Sequence, residues 1–388
     1  MGAGDIITPQ RRNCGTMGVH EELLQRDPQY GENRRQIEST ALEAQARRAR
    51  RVGVTRIPVV VHVVLRDPSA VSDEQVRSQI DALNRDFRFR NADRSRIPAP
   101  FVPFAVDCGI EFVLAQRDPD GRDTTGITRT ATSRPGFGQD HTVKFQGKGG
   151  HDGWPFDRYL NLWVCQLTGG LLGYATFPAG TAAIDAIDGV VITHTAFGTT
   201  GTARRPFHLG RTTTHEVGHW LNLLHIWGDD KGGCERSDNV ADTPNQAQEN
   251  YGKPEFPHVS CNNGPFGDMF MNYMDYVDDD AMFMFTAEQR SRMDATLLGP
   301  RASIVSSDGL RDQQPDAVLA LESPTAFEAT PDWDPVVRAA VLLPVERAGS
   351  RPRTVFDGKG WVSVDAVVKE GALPSRASEP SGVSGGRG

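Results

Sequence analysis

HEVGHWLNLLH, residues 215–225, decides how the rest of the chain is read. His215 and His219 are four apart, so on a helix their imidazoles leave one face about one turn apart and can share a metal ion. Glu216 lies between them but is rotated by about 100°, which turns its carboxylate toward a water on the metal rather than toward the metal. His225 would complete three neutral nitrogen ligands and leave a fourth position open for that water. A continuous helix would carry His225 away, so the chain must break near residue 222. Glycine is the usual residue for such a break because it enters the left-handed region without a Cβ penalty. Asn222 is the next most tolerant choice, since its short amide can bond locally. The competing reading of a bare five-residue match is a buried helix whose histidines are hydrogen-bonded. The third histidine at the required spacing, and Met274 and Tyr276 in MNYMDY about fifty residues on, favour a metal site.

The 388 residues suffice for one large domain with appendages or for two domains. With 38% hydrophobic and 24% charged residues the chain reads as globular and soluble, while 40 Gly and 25 Pro point to turns and long irregular stretches rather than a helical bundle. A net charge of -8 argues against nucleic acid as the main partner. The longest apolar run, IPVVVHVVL, is strand-sized and well short of the roughly 18 residues of a membrane span. The start, MGAGDIITPQRRNCGT, lacks the apolar core of a secretory signal, which leaves a trimmed signal, another export route or retention inside the cell.

Residues 20–51 are polar and rich in helix formers, ending in the basic cluster Arg47, Arg48, Arg50 and Arg51, and read as a leader rather than a core element. RIPVVVHVVL then reads as a buried strand, and SDEQVRSQIDALNRDF as a helix with capping-box spacing at Ser72 and Gln75 and apolar positions Val76, Ile80, Leu83 and Phe87. Further strands are expected at GIEFVLA, YLNLWVCQL and DGVVIT. The Gly-rich TGGLLGYATFPAG between them lacks the lysine and context of a phosphate loop and reads as a surface or cleft-edge loop. A last helix starts at TAEQ, capped by Thr286 with Gln289 closing the box. Beyond about residue 310 the chain turns rich in Pro, Ala and Gly; VVRAAVLLPV and GWVSVDAVV are either strands of a small module or apolar spots in a linker.

HEVGHWLNLLH followed by NYMDY resembles the metzincin zinc endopeptidases, and GYATFP, DGVVI, SDNVADTP and MFTAEQRSRM are similar to the pappalysin family, peptidase family M43, over roughly residues 10–305. The resemblance implies an α+β fold: a twisted, mostly parallel sheet, two long helices and an irregular lower subdomain. It implies zinc on His215, His219 and His225, Glu216 as general base, Met274 beneath the metal and Tyr276 stabilising the transition state. The acidic loop GDDKGGCERSDNVADTP is solvated or neutralised by a hard cation on composition alone; the resemblance assigns calcium to Asp238 and Thr243. It also pairs Cys234 with Cys261, which implies an oxidising compartment. RRNCGT resembles the cysteine-switch segment of pappalysin zymogens, making Cys14 the group that blocks the metal, against the alternative of a chance surface cysteine. Cys108 and Cys165 read as small buried apolar residues, their pairing left open.

In metzincins the segment after the Met and Tyr pair walls the pocket for the side chain following the cut. DYVDDDAM makes Asp280 the expected acid there, giving a preference for Lys or Arg, and RRARRV a ready self-cleavage site with Arg51 as the new N-terminus. The expected organisation is a pro-segment at 1–51, a catalytic domain at 52–310 and a tail at 311–388. The expected protein is a secreted, monomeric zinc and calcium endopeptidase acting on protein or peptide chains. The rival class is a non-catalytic binding or adhesion protein on the same scaffold, against which a complete Glu216 and Tyr276 argue, since neither is needed to hold metal.

Overall fold

The β-branched run forms the central strand β2 (Thr55–Leu65) of the computed structural model, which describes residues 9–47, 49–230, 232–311, 319–321, 354–356 and 361–363. Ile57, Val59, Val61 and Val63 enter one core and Val60 and Val64 lie on the other face, all fully buried, which is why the strand reads as one apolar run without alternation. Along one side β2 pairs in succession with β3 (Ile110–Leu114) and β4 (Ile127–Ala131); along the other it pairs with β5 (Leu160–Cys165). All three pairings are parallel, as is that of β5 with β7 (Val190–Thr193). Only β6 (Gly173–Ala175) runs against its neighbour, as an edge on β7. The sheet is therefore mixed but mostly parallel, as expected of a metzincin.

Seven helices are described. Before the sheet, α1 (Thr16–Arg26) packs against β6, and α2 (Pro28–Ala46), capped by the Asp27 side chain, lies on the helix at residues 287–298. The helix formers before the basic cluster make α2, and within the cluster residues 49–51 form β1 (Ala49–Arg51), antiparallel to β8 (Leu319–Leu321). There the Arg51 guanidinium and backbone N–H both reach the buried Asp294 carboxylate, at 2.9 and 3.1 Å. The helix α3 (Asp73–Phe87) is capped by Ser72, although Gln75 turns away from the cap to bond Phe197 O and Thr202 Oγ1. α4 (Ala182–Asp185) is a single turn; α5 (Arg211–Trp220), buried throughout, packs on α3, β6 and β7. α6 (Ala287–Leu298) carries the complete Thr286 and Gln289 capping box, and α7 (Ala302–Val305) follows it.

Between α5 and α6 the chain is mostly irregular, and the Cys234–Cys261 disulfide closes a separation of 27 residues there. A cross-link of that span contributes roughly 3 kcal/mol by restricting the unfolded chain. Cys108 and Cys165 are free, buried thiols. No described helix is long and apolar enough to cross a membrane. VVRAAVLLPV lies outside the described residues; within GWVSVDAVV, β10 (Trp361–Ser363) pairs with β9 (Thr354–Phe356).

Candidate active site

The helix α5 ends where the sequence requires it to. Asn222 has φ 73°, its N–H donates to His219 O at 2.8 Å, and Leu223 N–H donates to Gly218 O at 2.9 Å. That pair of bonds around one left-handed residue is a Schellman stop, which satisfies helix carbonyls and reverses the chain toward His225. The stop is held from outside by α6: Arg292 Nη2 donates to Asn222 O at 3.0 Å and Thr296 Oγ1 to Leu221 O at 3.2 Å. Arg301 adds a bond to Trp220 O at 2.9 Å while pairing with Asp188.

The three histidines then meet. His219 Nε2 lies 3.1 Å from His215 Nε2 and 3.1 Å from His225 Nε2. Each opposite nitrogen faces an acceptor: His215 Nδ1 donates to Tyr273 O and His219 Nδ1 to Leu223 O, both at 2.8 Å, and His225 Nδ1 to Asp229 at 2.7 Å. Acceptors fix the proton on Nδ1, so three Nε2 lone pairs point at one another. Burial holds His215 and His219 far below their usual range, hence neutral. Lone pairs so arranged repel unless a cation sits among them, and neutral imidazoles with fixed Nδ1 partners suit zinc.

Met274 is fully buried beneath α5, and a Cβ at Gly218 would meet its Sδ at 2.5 Å, so the helix has glycine where it crosses the methionine. Gly173 is needed for a similar reason: a Cβ there would lie 2.9 Å from Glu216 Cγ and 2.9 Å from Val191 O. This close contact requires glycine at the start of β6, a short strand in a stretch that reads as a loop. Glu216 is 1% exposed, and burial raises its carboxyl to about 7 despite bonds from Cys14 and Thr16. The Tyr276 ring stands 5.6 Å from His215 and 5.0 Å from His225.

Residues 12–16 cross this site. Leu172 N–H donates to Asn13 O and Gly15 N–H to Gly173 O, both at 2.9 Å, so residues 13–15 lie along β6 in parallel. Cys14 Sγ and the three histidine nitrogens lie within 4.8 Å of one another, and Cys14 Sγ is also 3.3 Å from Glu216 Oε2. Burial, then the Glu216 charge, push the thiol well above its usual range, so only a bound cation would draw off its proton. Thr16 Oγ1 donates to Glu216 at 2.8 Å, and Tyr276 Oη to Cys14 O at 3.5 Å. Two residues before the thiol, Arg12 pairs with Asp279 at 2.7 Å, both side chains 1% exposed or less. Arg12 also donates to Thr212 Oγ1 and Val277 O.

Asp280, the acid expected to line the pocket for the side chain after the cut, pairs its carboxylate with Lys253 at 2.6 Å. Asp279, turned inward, accepts from Arg12 and from Leu209 N–H at 2.7 Å at the start of α5. In a row of three aspartates the sequence cannot show which one turns inward. Arg12, two residues before the expected switch cysteine, and Asp229, four after His225, were likewise legible only as spacings.

In the acidic loop, Asp238 is 2% exposed and burial raises its carboxyl to about 8. Thr243 Oγ1 lies 2.9 Å from both Asp238 oxygens and 3.0 Å from Val240 O. One hydroxyl proton cannot serve three acceptors, so this oxygen cluster suits a hard cation.

Residues 148–298 match peptidase family M43, described as pregnancy-associated plasma protein-A. The chain is 32% identical over 301 residues to an extracellular metalloprotease of Pyricularia oryzae, covering 74% of this chain and 89% of that one. Among solved structures, mature mirolysin of Tannerella forsythia in complex with a cleaved peptide is similar at a TM-score of 0.63 and 50% identity, over 65% of this chain and 96% of its own. A promirolysin mutant from the same organism gives 0.69 and 44%, over 76% and 97%.

Both amide atoms of the buried Asn222 lack hydrogen-bond partners, so what the position needs is its φ rather than its polarity. Asn222→Gly should unfold in urea at or above the wild-type midpoint. Asn222→Val should lose about 2 kcal/mol, since a branched side chain is poorly tolerated in the left-handed region. Equal midpoints for the two variants would remove the backbone argument.

Proposed function

The chain belongs to the pappalysin family, peptidase family M43, and is a metalloendopeptidase; on that premise we propose a secreted zinc enzyme made as a latent precursor. The non-catalytic alternative is not retained. The observation that carries the reading is the convergence of three Nε2 lone pairs with a buried carboxyl beside them. His215, His219 and His225 hold zinc, which when bound supplies a Lewis acid for the scissile carbonyl and an acidified water. Glu216 takes the proton of the attacking water and returns it to the leaving amine, work that suits a carboxyl near 7. Tyr276 donates to the oxyanion as it develops, in the position where its hydroxyl now meets Cys14 O. Asp229 fixes the tautomer of His225.

Residues 1–51 act as the pro-segment, 52–310 as the catalytic domain and 311–388 as a tail. Cys14 occupies the zinc position, Thr16 occupies the base and Arg12 fills a pocket floored by Asp279. That pocket accepts Lys or Arg after the scissile bond, because an acidic side chain would face a buried like charge. Calcium binds at Asp238 and Thr243, supported by the crowded oxygens there. Secretion is supported by relatives named extracellular metalloproteases and by the disulfide.

A peptide library read by mass spectrometry tests catalysis and specificity together. The matured protein should cut before Lys and Arg, and Glu216→Gln should cut nothing while retaining about one zinc per chain. Asp279→Ala should reduce cleavage before Lys and Arg on the order of a hundredfold, with little change in Asp280→Ala. Cleavage by the Gln variant would refute the base, and an unchanged Asp279→Ala profile would refute the pocket.

Latency is tested on precursors. Arg12→Ala and Cys14→Ser should each mature with a shorter lag than wild type, followed on gels, whereas identical lags would show that neither contact restrains the enzyme.

For calcium, chelation that spares zinc should lower the melting temperature and activity together, because the cation offsets burial of Asp238 in a region with little core. An unchanged melting temperature with zinc retained would remove calcium from the site.

A further inference from the structure

We propose that the cleft has a second cation-accepting position, built from Tyr251 and Glu249, that selects Lys or Arg as the second residue after the scissile bond. It rests on the reading of the Asp279 pocket as the first. While Arg12 fills that pocket, the adjoining Arg11 carries its guanidinium over the face of Tyr251, 5.1 Å from the ring centre. The Tyr251 hydroxyl donates to Glu249 Oε1 at 2.9 Å, and Glu249 forms no ion pair among the described residues. A π-face backed by an uncompensated carboxylate attracts a cation more than either group alone.

The position is fixed relative to the first pocket. Gly252, next to Tyr251, bridges in parallel to Val277, and Asp278 N–H donates to Gly252 O at 2.9 Å. Val277 O in turn accepts from Arg12 Nε, so one short pairing joins the wall bearing Asp279 to the wall bearing Tyr251. Tyr251 also stands 6.0 Å from the Tyr276 ring. From residue 14 back to residue 11 the contacts run from the histidine cluster at Cys14 to Asp279 at Arg12 and Tyr251 at Arg11. A substrate whose first side chain after the cut fills the Asp279 pocket would thereby bring its next side chain to Tyr251 and Glu249.

The sequence supplies an independent pointer. The segment before the sheet contains two adjacent pairs, Arg47 with Arg48 and Arg50 with Arg51; a cut before Arg47 or Arg50 places two basic residues in succession, whereas a cut before Arg51 places Val52 second. The pro-segment anchor, Arg11 with Arg12, is a third such pair.

The test uses the matured enzyme and a set of peptides with Arg first after the cut and Arg, Lys, Ala or Glu second, competing in one mixture. Arg or Lys should be favoured over Ala in the second place by roughly three- to tenfold in kcat/KM, expressed in KM, with Glu disfavoured. Tyr251→Leu and Glu249→Gln should each move that ratio toward one. Because the ratio is taken within one enzyme, partial loss of folded protein does not alter it. Cleavage before the first Arg with no second-residue bias in wild type would overturn the proposal and leave the Asp279 pocket standing. A companion set with Arg, Ala or Glu first and Ala second reads the first pocket, and absence of bias in both sets would overturn both.

Discussion

Three imidazole nitrogens at 3.1 Å spacings, each with its lone pair turned inward, are the constraint on which the rest of the site depends. The arrangement is intrinsically repulsive, so every ring must be held from behind. Two backbone carbonyls and Asp229 do this at the Nδ1 atoms. The helix must also stop within a turn of His219, and α6 and Arg301 grip the three carbonyls of the stop. Sheet, helices and irregular lower half can thus be understood as supports for one small region of converging donors.

The pro-segment meets that region with matched chemistry at each point. Its thiol faces the nitrogens, its hydroxyl faces the buried carboxyl, and its arginine faces the buried aspartate. A buried ion pair is a weak source of net stability, but breaking one by removing a single partner costs about 3–5 kcal/mol. On the proposed reading Asp279 would disfavour an empty or acidic occupant more than it rewards a basic one, a form of selectivity by penalty. Leu209 N–H donates to the same carboxylate and gives it a second anchor.

Much of this was legible in the sequence because the features are local. The strand β2, α3 and the capping box of α6 follow from apolar periodicity and caps within a few residues. The histidine spacing is likewise local, and Asn222 could be assigned its φ because few residues tolerate it. What was not legible depends on partners far along the chain. Gly173 to Ala175 reads as loop since the reason for the glycine, Glu216 pressing on the strand, lies more than forty positions away. Asp279 and Asp280 are indistinguishable in composition, and only the contacts from Arg12 and Lys253 separate them. The strand in the basic cluster was not legible because its pairing with residues 319–321 and with Asp294 is invisible locally.

Residues 13–15 lie along β6 through hydrogen bonds and no described covalent cross-link. On the proposed reading of residues 1–51 as a pro-segment, the blocking groups of an intact chain are held by an intramolecular equilibrium that dilution does not alter. A cut in the connection would turn the same groups into a second molecule, whose occupancy falls with total concentration. One hydrolysis would thus exchange a unimolecular equilibrium for a bimolecular one, and dilution would complete the release.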